Sequence, residues 1–424
     1  MTDTIRALYS SEAMQKAFAW IKEDESHTLE QQLELVQIPA CFNCEEERAL
    51  HFRRLMEAEG YKTHMDEVGN VYTRIRGTGN GPTVYISAHL DTVFPMDTPL
   101  TVKREGNVIS VPGIADDTRG LAEILCLLRT IRETDLRPVG DIIIGGNVGE
   151  EGLGDLRGMK HFFRENPDTV DAFVSIDAAC PVICYGGTGS YRYRITFRGP
   201  GGHSFGAFGL VNPIHAMGRA IAYISELRTQ EEPRATFNVG VVEGGTSVNS
   251  IASSCSMMVD MRSDDKDALA TLEKQFLDCL NQAVEDENNR WTKERGWKQS
   301  GNIIRFDTEA RINMEIEKVG DRPVGHQPED FNIVPVVAEA FEACGIEPDY
   351  MPAGSTDSNI PLSLGIPAVT VAGGGLGGNG HSVDEYYDCT DACRGVQKNL
   401  LVLFRLAGLD GVCEPGVPKR TGKA

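Results

Sequence analysis

Three short, largely apolar runs constrain this chain more than any other feature. Thr83-Val-Tyr-Ile-Ser-Ala88, Asp141-Ile-Ile-Ile and Ala172-Phe-Val-Ser-Ile176 read as buried strands. Between the first two, Leu121, Ile124, Leu125, Leu128 and Ile131 mark one face of a helix. Strand–helix–strand alternation with continuous apolar strands indicates a largely parallel sheet covered on both faces. Upstream, Ala49, Phe52, Leu55 and Met56 form an amphipathic helical stripe that Gly60 terminates.

The pattern changes after Gly189. Tyr191-Arg-Tyr-Arg-Ile-Thr-Phe197 alternates as a half-exposed strand does. Asn212-Pro213 is a helix cap followed by proline at the first helical position, and Ile214, Met217, Ile221 and Ile224 supply the apolar face. Strand-like stretches at 237–242 and 255–261 follow, then a helix bearing Leu269, Leu272, Phe276 and Leu280. From Pro328 the helix–strand pattern returns, through 334–344, 368–371 and a final helix near 397–406. A chain of 424 residues exceeds what one core organises. The expected fold is α/β: a mostly parallel-sheet domain interrupted by an α+β insert. Its expected parts are 1–188, the insert at 189–320, and 321–424.

Composition excludes some partners. Lys and Arg number 41 against 62 Asp and Glu, a formal net charge of −21, and no dense basic run exists to hold nucleic acid. No segment is long and apolar enough to span a bilayer, and the first thirty residues do not resemble a secretory signal, so no membrane partner and a cytoplasmic location are expected. Eleven scattered cysteines suit reduced thiols, the pairs Cys41/Cys44 and Cys389/Cys393 included.

The chemistry gathers at strand ends. His89, with Asp91 two residues on, follows the first strand, where open α/β sheets collect ligands. Gly113-Ile-Ala-Asp116-Asp117-Thr-Arg-Gly120 places paired aspartates at a helix start; a plain cap would explain one of them. Glu150-Glu151 and Asp177 follow the second and third strands. Far downstream, a glycine-rich loop ends in His381, with none of the spacing of a nucleotide fingerprint. That much negative charge on one rim demands a cation. Two His and several carboxylates suit a pair of divalent ions, zinc foremost, with cobalt or manganese as alternatives. Glu150, beside a ligand but free of metal, is placed to act as general base.

In this order the motifs resemble the co-catalytic zinc peptidase family of peptidase T, carboxypeptidase G, acetylornithine deacetylase and succinyl-diaminopimelate desuccinylase, over nearly the whole chain. The resemblance implies that His89 and Asp177 hold one ion, Glu151 and His381 the other, and that Asp116 bridges them across a cis peptide to Asp117. Asp91 would orient His89, with Glu150 as the base. The insert becomes a lid that mediates a homodimer, with His203 stabilising an oxyanion. Asn249, Arg262 and Ser355 look like substrate contacts. An aspartate at position 177 tilts the expectation toward an aminopeptidase acting on tripeptides or dipeptides. An N-acyl-amino-acid amidohydrolase, a carboxypeptidase and, more remotely, a non-catalytic binding module are the alternatives. The stretch Asp116-Asp-Thr-Arg-Gly120 departs from the Asp-Asp-Lys form of peptidase T and carboxypeptidase G, which leaves placement within the family open.

Overall fold

A computed structural model describes residues 2–177, 180–290, 310–328 and 331–420. The chain forms two compact units, Met1–Gly187 with Gly325–Ala424, and Thr188–Val324.

The larger unit is built on an eight-stranded sheet. Its order is His64–Met65, Val71–Ile75, Asp141–Asn147, Thr83–His89, Ala172–Ile176, Ala368–Val371, Val182–Cys184 and Asp349–Met351. The four strands from Asp141–Asn147 to Ala368–Val371 run parallel; antiparallel pairings occur only towards the two sides. The sheet is therefore mixed, parallel where it is central.

Alternation explains why the central strands are apolar on both sides. Val84, Ile86, Ile142, Ile144, Ala172 and Val174 pack into one core, with the helices Glu12–Glu23, Thr118–Glu133 and Cys393–Ala407. Their neighbours Tyr85, Ile143 and Phe173 point into a second core, with the helix Arg157–Glu165. Both faces are covered, so no polar stripe survives. The sequence pattern did not register the three N-terminal helices Asp3–Ser10, Glu12–Glu23 and Glu25–Val36. It also passed over a small antiparallel sheet of Leu376–Gly378, Tyr386–Asp388, Val108–Ser110 and Lys103–Glu105.

The smaller unit is a four-stranded antiparallel sheet, ordered Ala235–Gly244, Ser254–Ser263, Gly189–Arg198, Asn313–Arg322. Ile195, Phe197, Met257 and Met261 face the helices Pro213–Ser225 and Lys266–Asn289. Asn212 caps the first of these, accepting the Ile214 N–H at 2.9 Å.

Gly145, paired with Tyr72, lies where two strands of the sheet leave no room for a side chain. A Cβ there would stand 2.1 Å from the Val71 carbonyl oxygen, which is backbone and has no freedom to swing away. Gly145→Ala is expected to cost about 1–3 kcal/mol through overpacking. A urea unfolding midpoint equal to wild type would contradict this.

Candidate metal centre

The sheet places each candidate ligand. His89 is the last residue of its strand and pairs in register with Asn147, so two parallel strands end together. Asp177 directly follows the strand Ala172–Ile176. Glu150 and Glu151 come just beyond Asn147, after a turn at Gly149 with φ +72°, a conformation that favours glycine.

Asp116 and Asp117 divide their work at the start of the helix Thr118–Glu133. Asp117 caps that helix, accepting the Gly120 N–H at 3.1 Å, and also accepts the His89 N–H at 2.9 Å. Asp116 faces the histidines. Its Oδ1 lies 3.0 Å from His89 Nε2 and its Oδ2 lies 3.2 Å from His381 Nε2. One carboxylate thus offers one oxygen to each imidazole, the arrangement of a bridging ligand. The Asp116–Asp117 peptide is cis.

The remaining ligand-type atoms close two triads around it. His381 Nε2 is 3.1 Å from Glu151 Oε1, and His89 Nε2 is 3.9 Å from Asp177 Oδ1. Donor atoms of His89, Asp116 and Asp177 lie within 4.8 Å of one another, as do those of Asp116, Glu151 and His381. Ligands about 2.0–2.2 Å from a tetrahedral zinc ion stand roughly 3.3–3.6 Å apart, and the His89 and His381 pairs, 3.0–3.9 Å apart, lie near that spacing. Glu150 groups with His89 and Glu151 within the same limit.

Electrostatics argue the same way. Burial pushes the carboxyl of Asp177 well above its usual range, and the charges of Asp116, Glu150 and Glu151 add to it. Burial likewise raises Asp117. For His89, burial disfavours the charged ring, but the Asp116 hydrogen bond and the Asp117 and Asp177 charges outweigh it and raise the pKa well above normal. Hydrogen bonds to Asp116 and Glu151 push His381 up to about 10. The rim gathers more carboxylates than its two imidazoles can pair, an arrangement that could hold divalent cations.

Asp91 departs from expectation. His89 Nδ1 donates to the backbone carbonyl of Asp91 at 3.0 Å, while the Asp91 carboxylate is 3.8 Å from that nitrogen. This leaves Nε2 as the free nitrogen facing Asp116. The carboxylate, fully buried, instead accepts the N–H groups of Glu150 at 3.0 Å and Glu151 at 2.8 Å. Asp91 orients His89 through its main chain, and its side chain fixes the loop that carries Glu150 and Glu151.

A second buried carboxyl escaped sequence reasoning. Asn147 receives a hydrogen bond from Ser87 and donates one to Asp357 Oδ2 at 2.5 Å. Burial first, then the Glu150 charge, pushes Asp357 up to about 8. Asp357 sits two residues beyond Ser355, a half-buried loop residue in the same Gly-Ser-Thr-Asp-Ser segment. Only that segment's composition hinted at a role, and Asp357 itself carried no signal in the sequence.

Three further candidates lie in the smaller unit. Gly202–His203 pairs with Ser250–Ile251, and Ser204 N–H donates to the Asn249 carbonyl at 3.0 Å, so His203 and Asn249 sit on adjoining turns. His203 Nδ1 accepts the N–H groups of Phe205 and Gly206, both at 3.2 Å. Its proton therefore resides on Nε2, which is left as a donor. Arg262 Nε is 2.8 Å from Asp260 Oδ2, an ion pair within its own strand. All eleven cysteines are free thiols.

A carboxylate set between two His-and-carboxylate triads makes this a group of side chains that could hold metal ions. Residues 85–403 match the profile of peptidase family M20/M25/M40. The chain belongs to this family of metal-dependent hydrolases that act on amide bonds. It is 24% identical to the uncharacterised protein YqjE of Bacillus subtilis over 371 residues, which is 83% of this chain and 91% of that one. With the acetylornithine deacetylase of Pectobacterium carotovorum it shares 30% identity over 241 residues, 52% of this chain and 59% of the deacetylase, little more than half of that relative's length. In fold it is similar to a tripeptidase from Staphylococcus aureus, with a TM-score of 0.69 at 23% identity, covering 89% of this chain and 97% of the tripeptidase.

The geometry of Asp91 generates a prediction. Asp91→Ala removes the acceptor for two buried N–H groups, and zinc affinity is expected to fall about 10–100-fold, as for other outer partners of metal ligands. Competition against a chromophoric chelator measures it. Unchanged affinity would show that the loop holds its shape without the carboxylate.

Proposed function

We propose that this protein hydrolyses an amide bond with two divalent ions, zinc foremost, and that it releases the N-terminal residue of short peptides. The observation that carries the hydrolytic part is Asp116, whose two oxygens face His89 and His381 separately. In this reading Asp116 bridges, His89 and Asp177 hold one ion, and Glu151 and His381 hold the other. When bound, such a pair supplies an activated water and a polarised carbonyl.

The chain's own groups do the rest. The Glu150 carboxylate takes a proton from the attacking water and returns it to the leaving amine nitrogen. The Asp91 carboxylate holds the backbone of Glu150 in place for that task. His203, on its tautomer alone, is assigned the donor role toward the developing oxyanion through Nε2–H, a contribution commonly worth about 3 kcal/mol. Asn249, Arg262 and Ser355 remain proposed substrate contacts.

The choice of peptide over acyl amino acid rests on Asp177 in the position where aminopeptidases of the resembled family carry aspartate; the likeness of fold to a tripeptidase supports it. The competing reading, an N-acyl-amino-acid amidohydrolase, draws on the sequence similarity to acetylornithine deacetylase.

We also propose a homodimer formed through the smaller unit. The strand Ala235–Gly244 is an edge of its sheet, and Val241 and Val242 on it are 44% and 52% exposed, which suits pairing with another chain. Sedimentation at micromolar concentration tests this, and a monomer would exclude it. Among the described residues no helix is long and apolar enough to cross a membrane. Eleven free thiols support the proposed cytoplasmic location.

Two experiments test the chemistry. Tripeptides, dipeptides and N-acyl amino acids incubated with zinc-, cobalt- and manganese-loaded enzyme, with products identified by mass, decide the substrate class. Cleavage of acyl amino acids alone would overturn the aminopeptidase reading. Glu150→Gln is expected to lower kcat by about 10²–10⁴-fold with both ions still bound; wild-type turnover in that variant would remove Glu150 from the mechanism.

A further inference from the structure

His381 is the least supported of the ligand candidates. It is 59% exposed, has φ +63°, and stands in a loop rich in glycine, so packing of its own ring does little to fix it. Its partner Asp116 sits on a different loop. Some group must set the distance between the two, because ligand geometry tolerates only a few tenths of an ångström.

Glu385 meets that description. It lies four residues beyond His381 and is fully buried. Its Oε2 accepts the N–H of Gly113 at 2.7 Å, and its Oε1 accepts those of Ala115 at 2.8 Å and Asp116 at 3.0 Å. The third is the main-chain nitrogen of the bridging residue itself. On its own side Glu385 is tied towards His381 by consecutive turns, Glu385 N–H to the Ser382 carbonyl at 3.0 Å and Ser382 N–H to the Asn379 carbonyl at 3.1 Å. The next residue, Tyr386, pairs with Ser110 in the small antiparallel sheet, which holds the two chain segments side by side. The carbonyls of the Asp116 loop are secured separately: Gln32 donates to Ile114 at 2.8 Å and Thr118 to Gly113 at 2.6 Å. Glu385 is thus the group through which the loop of His381 grips the loop of Asp116.

We propose that Glu385 is a positioning residue of the metal centre, joining the loops of Asp116 and His381 into one unit so that both present their ligand atoms to the same ion. The inference rests on the two-ion reading above. A purely structural role, satisfying three buried N–H groups, predicts lost stability with unchanged metal binding. A positioning role predicts a metal-affinity defect that survives when the fold is intact.

The test uses the full-length protein stripped of metal. Zinc is titrated against a competing chelator into wild type, Glu385→Gln and Glu385→Asp, with urea unfolding of each metal-free protein. In wild type two ions are expected. In Glu385→Gln the affinity for the more weakly held ion is expected to fall about 10–100-fold, and amide exchange at Gly113, Ala115 and Asp116 to accelerate in the metal-free state. Should Glu385→Gln not fold, Glu385→Asp keeps the charge but is one methylene short, and the same defect is expected in it. Wild-type affinity for both ions in whichever variant folds, with or without lost stability, overturns the proposal. Uptake of fewer than two ions by wild type would instead bring down the two-ion reading on which it stands.

Discussion

The centre depends on one carboxylate shared between two imidazoles. Asp116 must present Oδ1 to His89 and Oδ2 to His381, and these histidines come from opposite ends of the larger unit's sequence. The parallel sheet solves half of this problem. Strands that end in register deliver His89, Asp177 and the Glu150–Glu151 turn to one rim without any long-range adjustment. The other half belongs to chain segments that the sheet does not control, and there buried carboxylates take over. Asp91 holds the turn of Glu150 and Glu151, Asp117 holds the end of the His89 strand, and Glu385 holds the loop of Asp116.

These three side chains share one chemistry. Each accepts at least two N–H donors, backbone in every case. Buried carboxylates are costly unless hydrogen-bonded, and a backbone amide pair is a compact way to satisfy one. In return, each fixes main chain rather than side chain. A ligand carried on fixed main chain loses little entropy when an ion binds, which is what a preorganised site requires.

That distinction explains what could be read from the sequence. The candidate residues and the strands that carry them were legible, because buried strands give uninterrupted apolar runs and reactive residues collect at their ends. The insert was legible too, since Tyr191–Phe197 alternates and Asn212-Pro213 announces a helix. The positioning groups were not. Glu385 looks like any acidic residue in a loop, and its value comes from a strand pairing between Val108–Ser110 and Tyr386–Asp388 that is too short to leave a periodic pattern. Asp357 was not legible for the same reason: its buried partner, Asn147, is visible only once the chain is folded. At Asp91 the sequence suggests one contact and the fold shows another. Spacing alone suggests a carboxylate against the ring, whereas the fold uses the carbonyl there and spends the carboxylate on the next loop.

The charge of the rim bears on how many ions the proposed centre takes. Asp116, Asp177, Glu150 and Glu151 bring four carboxylates to the two triads and their neighbour, while His89 and His381 are neutral when they act as ligands. One divalent ion would leave such a rim with two surplus negative charges in a largely buried place. Two ions cancel the four. Without cations the charge must be relieved by protons, which is the state that the raised pKa values of Asp177, His89 and His381 describe. Metal uptake must therefore expel protons, and affinity must rise with pH until those groups are deprotonated. In the proposed two-ion reading, the same carboxylates that make the centre costly to assemble without metal are what favour a second ion over one alone.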